Sequence, residues 1–270
     1  MATEASFKSL EHDGWSERAK IYDQYSARFC RHGIAPLLDA AAIGRCHTVL
    51  DVCCGTGEAA AAAAERGATV TGLDFSEEMV AVAKAKCPSA DFRAGDAETL
   101  PFDDASFDRV VNNFGTLHLE KPEQAIAEAA RVLRPGGRYA FTVWCGPEIS
   151  PLFRIVPEVV SANGTLDVGL PPSPPMFRFA DKAESAGAMQ MAGFVDIAFG
   201  DVPATLEFVL DDLADFFRHA FVRATMVLDR QEPRARERIE QGLRERFAVF
   251  AEAGIVRMPL PALVVSATCP

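Results

Sequence analysis

The stretch Thr48-Val49-Leu50-Asp51-Val52-Cys53-Cys54-Gly55-Thr56-Gly57-Glu58, followed by the alanine-rich run from Ala59 to Ala64, limits this chain's fold more than any other. A short apolar run ending in an acid, two glycines one residue apart and a helix-forming segment predict strand, tight turn and helix. Without side chains at 55 and 57, the backbone can approach a ligand closely and adopt dihedrals closed to other residues. The first helical turn points unpaired N–H groups and the positive end of its dipole at the same place. Such a turn is a cradle for a nucleotide-like ligand.

Two enzyme classes stay open on this feature. Gly55-x-Gly57-x-x-Ala60 fits the dinucleotide fingerprint in its G/A form, with Asp74 at about the distance needed to bind a ribose. It fits equally the turn that holds S-adenosylmethionine. Composition narrows the partners. At 270 residues, 49% hydrophobic and 24% charged, the chain reads as an ordinary globular protein of one large domain or one domain with insertions. A net charge of -11 leaves no broad basic field for a polyphosphate backbone, which disfavours nucleic acid. No apolar run reaches membrane-spanning length, and Met1-Ala2-Thr3-Glu4 lacks the basic then apolar order of a signal peptide. The seven cysteines are scattered, odd in number and form no Cys-x-x-Cys pair, which fits reduced thiols in a cytoplasm and implies no metal site. A cytoplasmic protein with neither a membrane nor a nucleic-acid partner is expected.

Along the chain, Trp15 to Tyr25, Phe29 and Ala35 to Ile43 read as a helical arm. Its aromatics either pack on the domain or form a lid, with Tyr22 and Tyr25 presenting faces that attract a cation. After the cradle, Thr69 to Leu73 reads as a second strand ending in Asp74. Ser76 then caps a helix whose buried face includes Met79, Val80, Val82 and Ala83. Asp74 is placed to accept ribose hydroxyl protons or to cap that helix. A third strand, Asp91 to Ala94, ends in Gly95-Asp96-Ala97, where Asp96 can accept from an exocyclic amine and Ala97 offers a backbone N–H. A fourth strand, Arg109 to Asn113, precedes a helix from Pro122 to Leu133. That helix stops at the turn Arg134-Pro135-Gly136-Gly137, and a fifth strand runs from Arg138 to Trp144. Five such units make a doubly wound parallel sheet, whose ligands bind beyond the carboxyl ends of the strands. Asp51, Asp74, Asp96 and Asn113 all fall there.

Val49 to Gly57, the Asp74 step, Gly95-Asp96-Ala97 with Leu100-Pro101-Phe102, Ser106-Phe107-Asp108 and Arg131-Val132-Leu133-Arg134-Pro135-Gly136-Gly137 occur in one order. In that order they resemble the class I S-adenosylmethionine-dependent methyltransferases, nearest the branch that includes the ubiquinone and menaquinone biosynthesis enzymes. The resemblance covers roughly residues 45 to 144. It implies S-adenosylmethionine as cofactor and S-adenosylhomocysteine as product. Gly55 and Gly57 would line the methionine and ribose end, Asp74 would bind the ribose hydroxyls, and Asp96 and Ala97 the adenine. Asn113 and Phe114 would lie by the sulfonium, and Asp51 would order the turn or meet the cofactor's amino group. Tyr22, Cys53, Phe75 and Met79 are expected around the same cofactor. Cys53 departs from the first glycine of many relatives. The resemblance decides against a nicotinamide enzyme, because Pro135-Gly136-Gly137 closes one mononucleotide half and no second half follows.

Beyond Cys145, prolines at 147, 151, 157, 171, 172, 174 and 175 stiffen a crossing that serves as linker or as pocket wall. Asp181 to Ala192 reads as a helix, and Gly193-Phe194 opens a sixth strand toward Phe208. In Asp211 to Leu228, Leu213, Phe216, Phe217, Ala220, Phe221, Ala224, Val227 and Leu228 keep helical spacing. A second helix begins at Pro233 and ends by Gly254, and Leu263 to Thr268 supplies the seventh strand. The expected fold is therefore a doubly wound, mostly parallel, seven-stranded Rossmann-like α/β sheet. It divides into an arm (1–44), a cofactor core (45–144), a proline-rich crossing and helix (145–192), last strands (193–210 and 255–270) and an inserted helical cap (211–254). The cap's Phe stripe is core, pocket wall or both, and His219 and Arg223 lie off it on a solvated or pocket-facing side. Methyl transfer needs a nucleophile collinear with the S–CH₃ bond in a dry site, and a base is optional. His118, just after the fourth strand, is the candidate base.

The function expected is methyl transfer to a small apolar or aromatic acceptor, with O- or N-methylation ahead of C-methylation, by a monomer or homodimer. The alternative from another class is a protein of this fold that binds cofactor without transfer, as sensor or partner subunit. A protein or nucleic-acid methyltransferase is disfavoured by the acidic charge and the closing cap.

Overall fold

The computed structural model describes residues 5–270. An arm of three helices, α1 (Phe7–Arg18), α2 (Ser26–Cys30) and α3 (Ile34–Ala40), leads into β1 (Thr48–Val52) and α4 (Glu58–Glu65). There follow β2 (Thr69–Asp74), α5 (Glu77–Lys86), β3 (Asp91–Ala94), β4 (Phe107–Asn113), α6 (Pro122–Val132) and β5 (Leu133–Trp144). The later chain forms α7 (Pro151–Asn163), α8 (Lys182–Met191), β6 (Val195–Val202), β7 (Thr205–Val209), α9 (Leu213–Ala220), α10 (Val222–Asp229) and α11 (Pro233–Ala248). It closes with β8 (Ala251–Glu252), β9 (Ile255–Pro259) and β10 (Ala262–Thr268).

Seven strands form one sheet in the order β3-β2-β1-β4-β5-β10-β6. The first five run parallel, and β10 is antiparallel to both its neighbours. Successive side chains of a strand point to opposite faces, so the sheet feeds two cores. Val49, Val111, Ala140 and Val264 face one, with α3, α4 and α7; Leu50, Val110, Phe141 and Val265 face the other, with α6 and α8. No helix among the described residues is long and apolar enough to cross a membrane.

Local chemistry sets the boundaries. Ser76 caps α5 by accepting from the Met79 N–H at 3.1 Å, and Glu77 and Glu78 follow in the first turn, where the helix dipole favours acids. Several details differ from the sequence reading: the second cap helix ends at Ala248 and a short strand, β8, precedes Gly254, and the proline crossing holds a regular helix, α7, which Pro151 starts and which carries Pro157 inside it. The sixth strand ends at Val202, because Pro203 has no N–H to continue a ladder. Phe208 lies instead in a second sheet, β7-β9-β8, whose inward residues Leu206, Phe208, Val256 and Met258 are buried. The run from 211 to 228 is two helices, broken where Phe221 takes an extended conformation, and the Thr225 hydroxyl donates to the Phe221 carbonyl at 2.7 Å beside the break. Residues 134–137, read as a turn, begin β5: Leu133 pairs with Phe107, and a register shift before Arg109 absorbs the irregularity.

Candidate active site

The cradle is built from left-handed backbone at Cys53 (φ 57°), Gly55 (φ 53°) and Gly57 (φ 88°). The two glycines have different reasons to be there. A Cβ on Gly55 would have only Tyr22 near it, at 4.0 Å, on the cavity side; one on Gly57 would stand 3.0 Å from the Phe92 ring and 3.2 Å from Ala83. Gly57 therefore packs against α5 and β3 as the first residue of the α4 turn. It lines neither of the two cavities described below, although the sequence reading placed it along the cofactor.

Asp74, at the end of β2, fixes the turn: Oδ2 accepts the Gly55 N–H at 2.8 Å and Oδ1 the Ser76 N–H at 3.0 Å. Burial pushes its carboxyl up, against those two donors and the nearby His118 and His12. Asp51, one strand over, is 1% exposed, and neither of its oxygens has a hydrogen-bond partner among the described residues. Burial, with the charges of Asp74 and Glu58 beside it, pushes the Asp51 carboxyl to about 8 and outweighs the Ala60 N–H, which approaches the carboxylate without reaching hydrogen-bond geometry and favours its charged form. A buried acid without a donor is costly unless a cationic or donor group meets it.

A cavity of about 340 Å³ opens over the carboxyl ends of the strands. It brings together eleven of the thirteen residues expected from sequence: Tyr22, Cys53, Gly55, Asp74, Phe75, Met79, Asp96, Ala97, Asn113, Phe114 and His118. Asp51 faces a smaller adjoining cavity shared with Tyr22, Cys53 and Gly55. Tyr25 lines neither cavity; it donates its hydroxyl to Asp215 at 2.6 Å and ties the arm to α9.

The arm forms the roof through Trp15, one of its expected aromatics, and through Lys8 and Glu11, which sequence reasoning missed. On α1, Lys8, Glu11 and Trp15 share one face by their spacing of three and four. Lys8 reaches Asp96 at 2.5 Å and Glu98 at 2.9 Å, while the Glu98 N–H donates to Asp96 at 2.9 Å. Glu11 is 2% exposed; its Oε2 lies 2.7 Å from Nδ1 of His118 and accepts the Trp15 indole N–H at 3.1 Å. Helical spacing from Lys8 was the available signal, but nothing local says which strand ends it faces. Gly14 lets α1 approach α10: a Cβ there would fall 2.3 Å from a Val222 methyl.

The far end is apolar. Phe114 and Trp144 stack in parallel, centroids 3.7 Å apart at 5°. Asn113 is held beside them, donating to the Cys30 carbonyl at 3.1 Å and accepting from Thr142 at 2.8 Å. Phe153 and Phe177 close one side, Phe217 and Phe221 the other, and Ser173 and Pro174 also line the cavity, so the proline crossing forms wall. Arg223 lines it with its guanidinium 5.4 Å from the Phe7 ring centroid and donates to the Pro171 carbonyl at 3.0 Å. His219 does not line it and pairs with Asp215 at 3.2 Å.

A methyltransferase-domain family model matches residues 50–141. A demethylmenaquinone methyltransferase of Renibacterium salmoninarum is 44% identical over 108 residues, covering 40% of this chain and 45% of that one. Another, from Streptomyces griseus, is 32% identical over 184 residues, covering 64% of this chain and 78% of the relative. The chain spans about half the length of most of the curated relatives it matches. Among solved structures, a phosphoethanolamine N-methyltransferase 2 of Haemonchus contortus, in complex with phosphomonomethylethanolamine and S-adenosylhomocysteine, superposes with a TM-score of 0.59 at 18% identity. The match covers 98% of this chain and 60% of that one, and it shows a shared fold. With a sheet order, a glycine cradle and a relative of which it spans more than two thirds all in agreement, the chain belongs to the class I S-adenosylmethionine-dependent methyltransferases, of the quinone-biosynthesis type.

Proposed function

We propose that the protein transfers the methyl group of S-adenosylmethionine to a planar, largely apolar ring that carries a hydroxyl, at the oxygen or at the adjoining ring carbon. The observation that carries this reading is the continuity of one cavity from the glycine turn and its acids to the Phe114–Trp144 stack and the Phe side chains of the cap. The residues present fit the cofactor. Asp51, buried without a partner, suits an α-ammonium. Gly55 leaves room at the turn, and Asp74 keeps lone pairs for ribose hydroxyls beyond the two N–H groups it accepts. Asp96 and Ala97 would meet the adenine. Six acids, Glu11, Asp51, Glu58, Asp74, Asp96 and Glu98, lie around the two cavities against Lys8, Arg31 and Arg223, a balance that favours a cationic ligand.

When bound, the cofactor supplies an electrophilic methyl on a positively charged sulfur. The rest of the work belongs to the chain. Asn113 and Phe114 define the floor, α1 and the cap exclude water, and the aromatic walls hold the acceptor plane. Such positioning and desolvation can lower a barrier by roughly 7 kcal/mol or more. The family model ends at residue 141, so Leu152, Phe153, Phe177, Phe217 and Phe221, which shape the acceptor end, lie outside it. The acceptor is therefore read from these walls. Relatives named for demethylmenaquinone support a quinol-type ring and admit the ring carbon beside the oxygen.

Calorimetry with S-adenosylmethionine, S-adenosylhomocysteine and NADH tests the first half, and tight binding of NADH alone would refute it. Labelled S-adenosylmethionine offered with 1,4-naphthohydroquinone, catechols and alkylamines tests the second. Label is expected on the hydroxylated rings. Binding without transfer to any acceptor in a metabolite extract would favour the sensor or partner-subunit reading.

A further inference from the structure

The arm contributes more than a roof. Glu11 is an acid inside the protein whose carboxylate is 3% exposed and faces two groups, the Trp15 indole and the His118 ring. Its side chain serves no helix cap and no surface ion pair. His118 comes from the turn after β4, more than a hundred residues away in sequence, and its ring stands among the cavity walls.

We propose that Glu11 is the positioning residue of a general base, and that the base is complete only when α1 is seated. The geometry, with Glu11 ionised, assigns the proton. At 2.7 Å from a carboxylate oxygen Nδ1 then carries the hydrogen, because a group that only accepts does not face a lone pair at that distance. The Trp15 N–H, 3.1 Å from the same oxygen and 3.4 Å from Nδ1, then belongs to Glu11, leaving Nε2 as the ring's basic nitrogen. Trp15 also meets the His118 ring edge-on at 5.0 Å, which limits its rotation. This tautomer is the one a carboxylate imposes on an imidazole in other proton-transfer sites.

The inference rests on the methyl-transfer reading and deepens it. In the step, the acceptor hydroxyl gives its proton to His118 Nε2 as its oxygen, or the ring carbon beside it, forms the new bond to the methyl carbon. The electrons of the C–S bond leave with sulfur, yielding S-adenosylhomocysteine. At carbon the first product is a ring ketone; its ring proton then passes to water, the oxygen takes a proton back from the His118 imidazolium, and the aromatic ring, its hydroxyl and the neutral base are restored. The imidazolium so formed faces the Glu11 carboxylate, which stabilises it. A base of this kind typically contributes a factor of about a hundred to ten thousand.

Three anchors seat α1 independently of Glu11: Lys8 on Asp96 and Glu98, the Ser16–Ser76 hydroxyl contact at 2.8 Å, and Arg18 donating to the Arg218 carbonyl at 2.6 Å. Loss of Glu11 should thus change the imidazole without unseating the helix.

The test has one arm that needs no acceptor. Long-range ¹H–¹⁵N spectra of the imidazoles, with His118 assigned by its absence in His118→Ala, should show the Nδ1–H tautomer in the wild type. Glu11→Ala should shift it to the Nε2–H form, and Glu11→Gln, which keeps an acceptor oxygen, should hold it. S-adenosylmethionine affinity in Glu11→Ala should stay within about threefold. With 1,4-naphthohydroquinone as probe, kcat for Glu11→Ala should fall roughly a hundredfold. It should reach the level of His118→Ala, the double variant should be no slower, and Glu11→Gln should recover part of the rate. An unchanged tautomer in Glu11→Ala, or losses that multiply in the double variant, would overturn the proposal. So would a collapse of S-adenosylmethionine affinity, which would make Glu11 an anchor of the helix. If the wild type methylates nothing, the transfer reading fails, while the spectra still decide whether Glu11 orients His118.

Discussion

Gly55 and Gly57 stand one residue apart in the same turn, and the structure expects opposite losses from replacing them. Gly57→Val places a branched residue at φ 88°, where the left-handed conformation costs an L residue about 1–2 kcal/mol. Its Cβ would also stand 3.0 Å from the Phe92 ring and 3.2 Å from Ala83, before either γ methyl is placed. Overfilling a packed core of this kind costs roughly 1–3 kcal/mol, so the total is on the order of 2–5 kcal/mol. For a chain of this size that lowers the melting temperature by several degrees to about 20 °C. Gly55→Ala carries a similar left-handed strain of about 1–2 kcal/mol but meets only Tyr22, at 4.0 Å. Its methyl group projects where the cofactor should lie. The expected pattern is a large fall in melting temperature for Gly57→Val, and for Gly55→Ala a small one with at least a roughly tenfold loss of S-adenosylmethionine affinity. Thermal unfolding with and without ligand, plus calorimetry, separates the two. Should Gly57→Val melt like the wild type while failing to bind, Gly57 would be the cofactor's contact and this packing account would be wrong.

Three further expectations follow from the site. Asp74→Ala should weaken S-adenosylmethionine binding at least about tenfold. It should also destabilise the unliganded protein by roughly 1–3 kcal/mol, because the Gly55 and Ser76 N–H groups lose their acceptor; equal stability by chemical denaturation would contradict this. Burial raises the Asp51 carboxyl to about 8, above its value of about 4 in the unfolded chain. Its contribution to stability is therefore complete below pH 4 and is lost as the pH rises toward 8, on the order of 1 kcal/mol per pH unit. Asp51→Asn should flatten that slope in denaturant titrations of the unliganded protein, and an unchanged slope would refute the assignment. Phe221 lines the apolar end of the cavity, where the acceptor is proposed to lie, and stacks on Phe29 with centroids 5.6 Å apart, so Phe221→Ala should raise KM for the ring acceptor several-fold and leave S-adenosylmethionine affinity unchanged. A loss confined to the cofactor would move the acceptor elsewhere.

The parts of this protein decided locally were legible in its sequence. Strand, glycine turn and helix at 48–65 rest on a short apolar run, two residues without Cβ and an alanine tract, all within one contiguous segment. The Ser76 cap and Asp74 at the end of β2 rest on neighbours two or three positions away. Of the eleven expected site residues that reach the cavity, ten end or follow β1 to β4, because a doubly wound sheet sends the carboxyl ends of its parallel strands to one edge, and Tyr22 comes from the arm. Where distance in the chain enters, sequence is silent. Which side of the turn Gly57 shows depends on Phe92, from another strand. Pro203 ends β6, but the second sheet that takes up Phe208 needs β9, about fifty residues on, to supply its ladder. The break at Phe221 keeps the helical spacing of its neighbours, so periodicity reads through it. The proline crossing becomes wall only because α10 lies behind it, with Arg223 bonded to Pro171. Glu11, Trp15 and His118 meet only after α1 is laid across the strand ends. A hydrogen bond between residues 107 positions apart has no signature in either segment, since the entropy of closing so long a loop is offset by the packing of the whole domain.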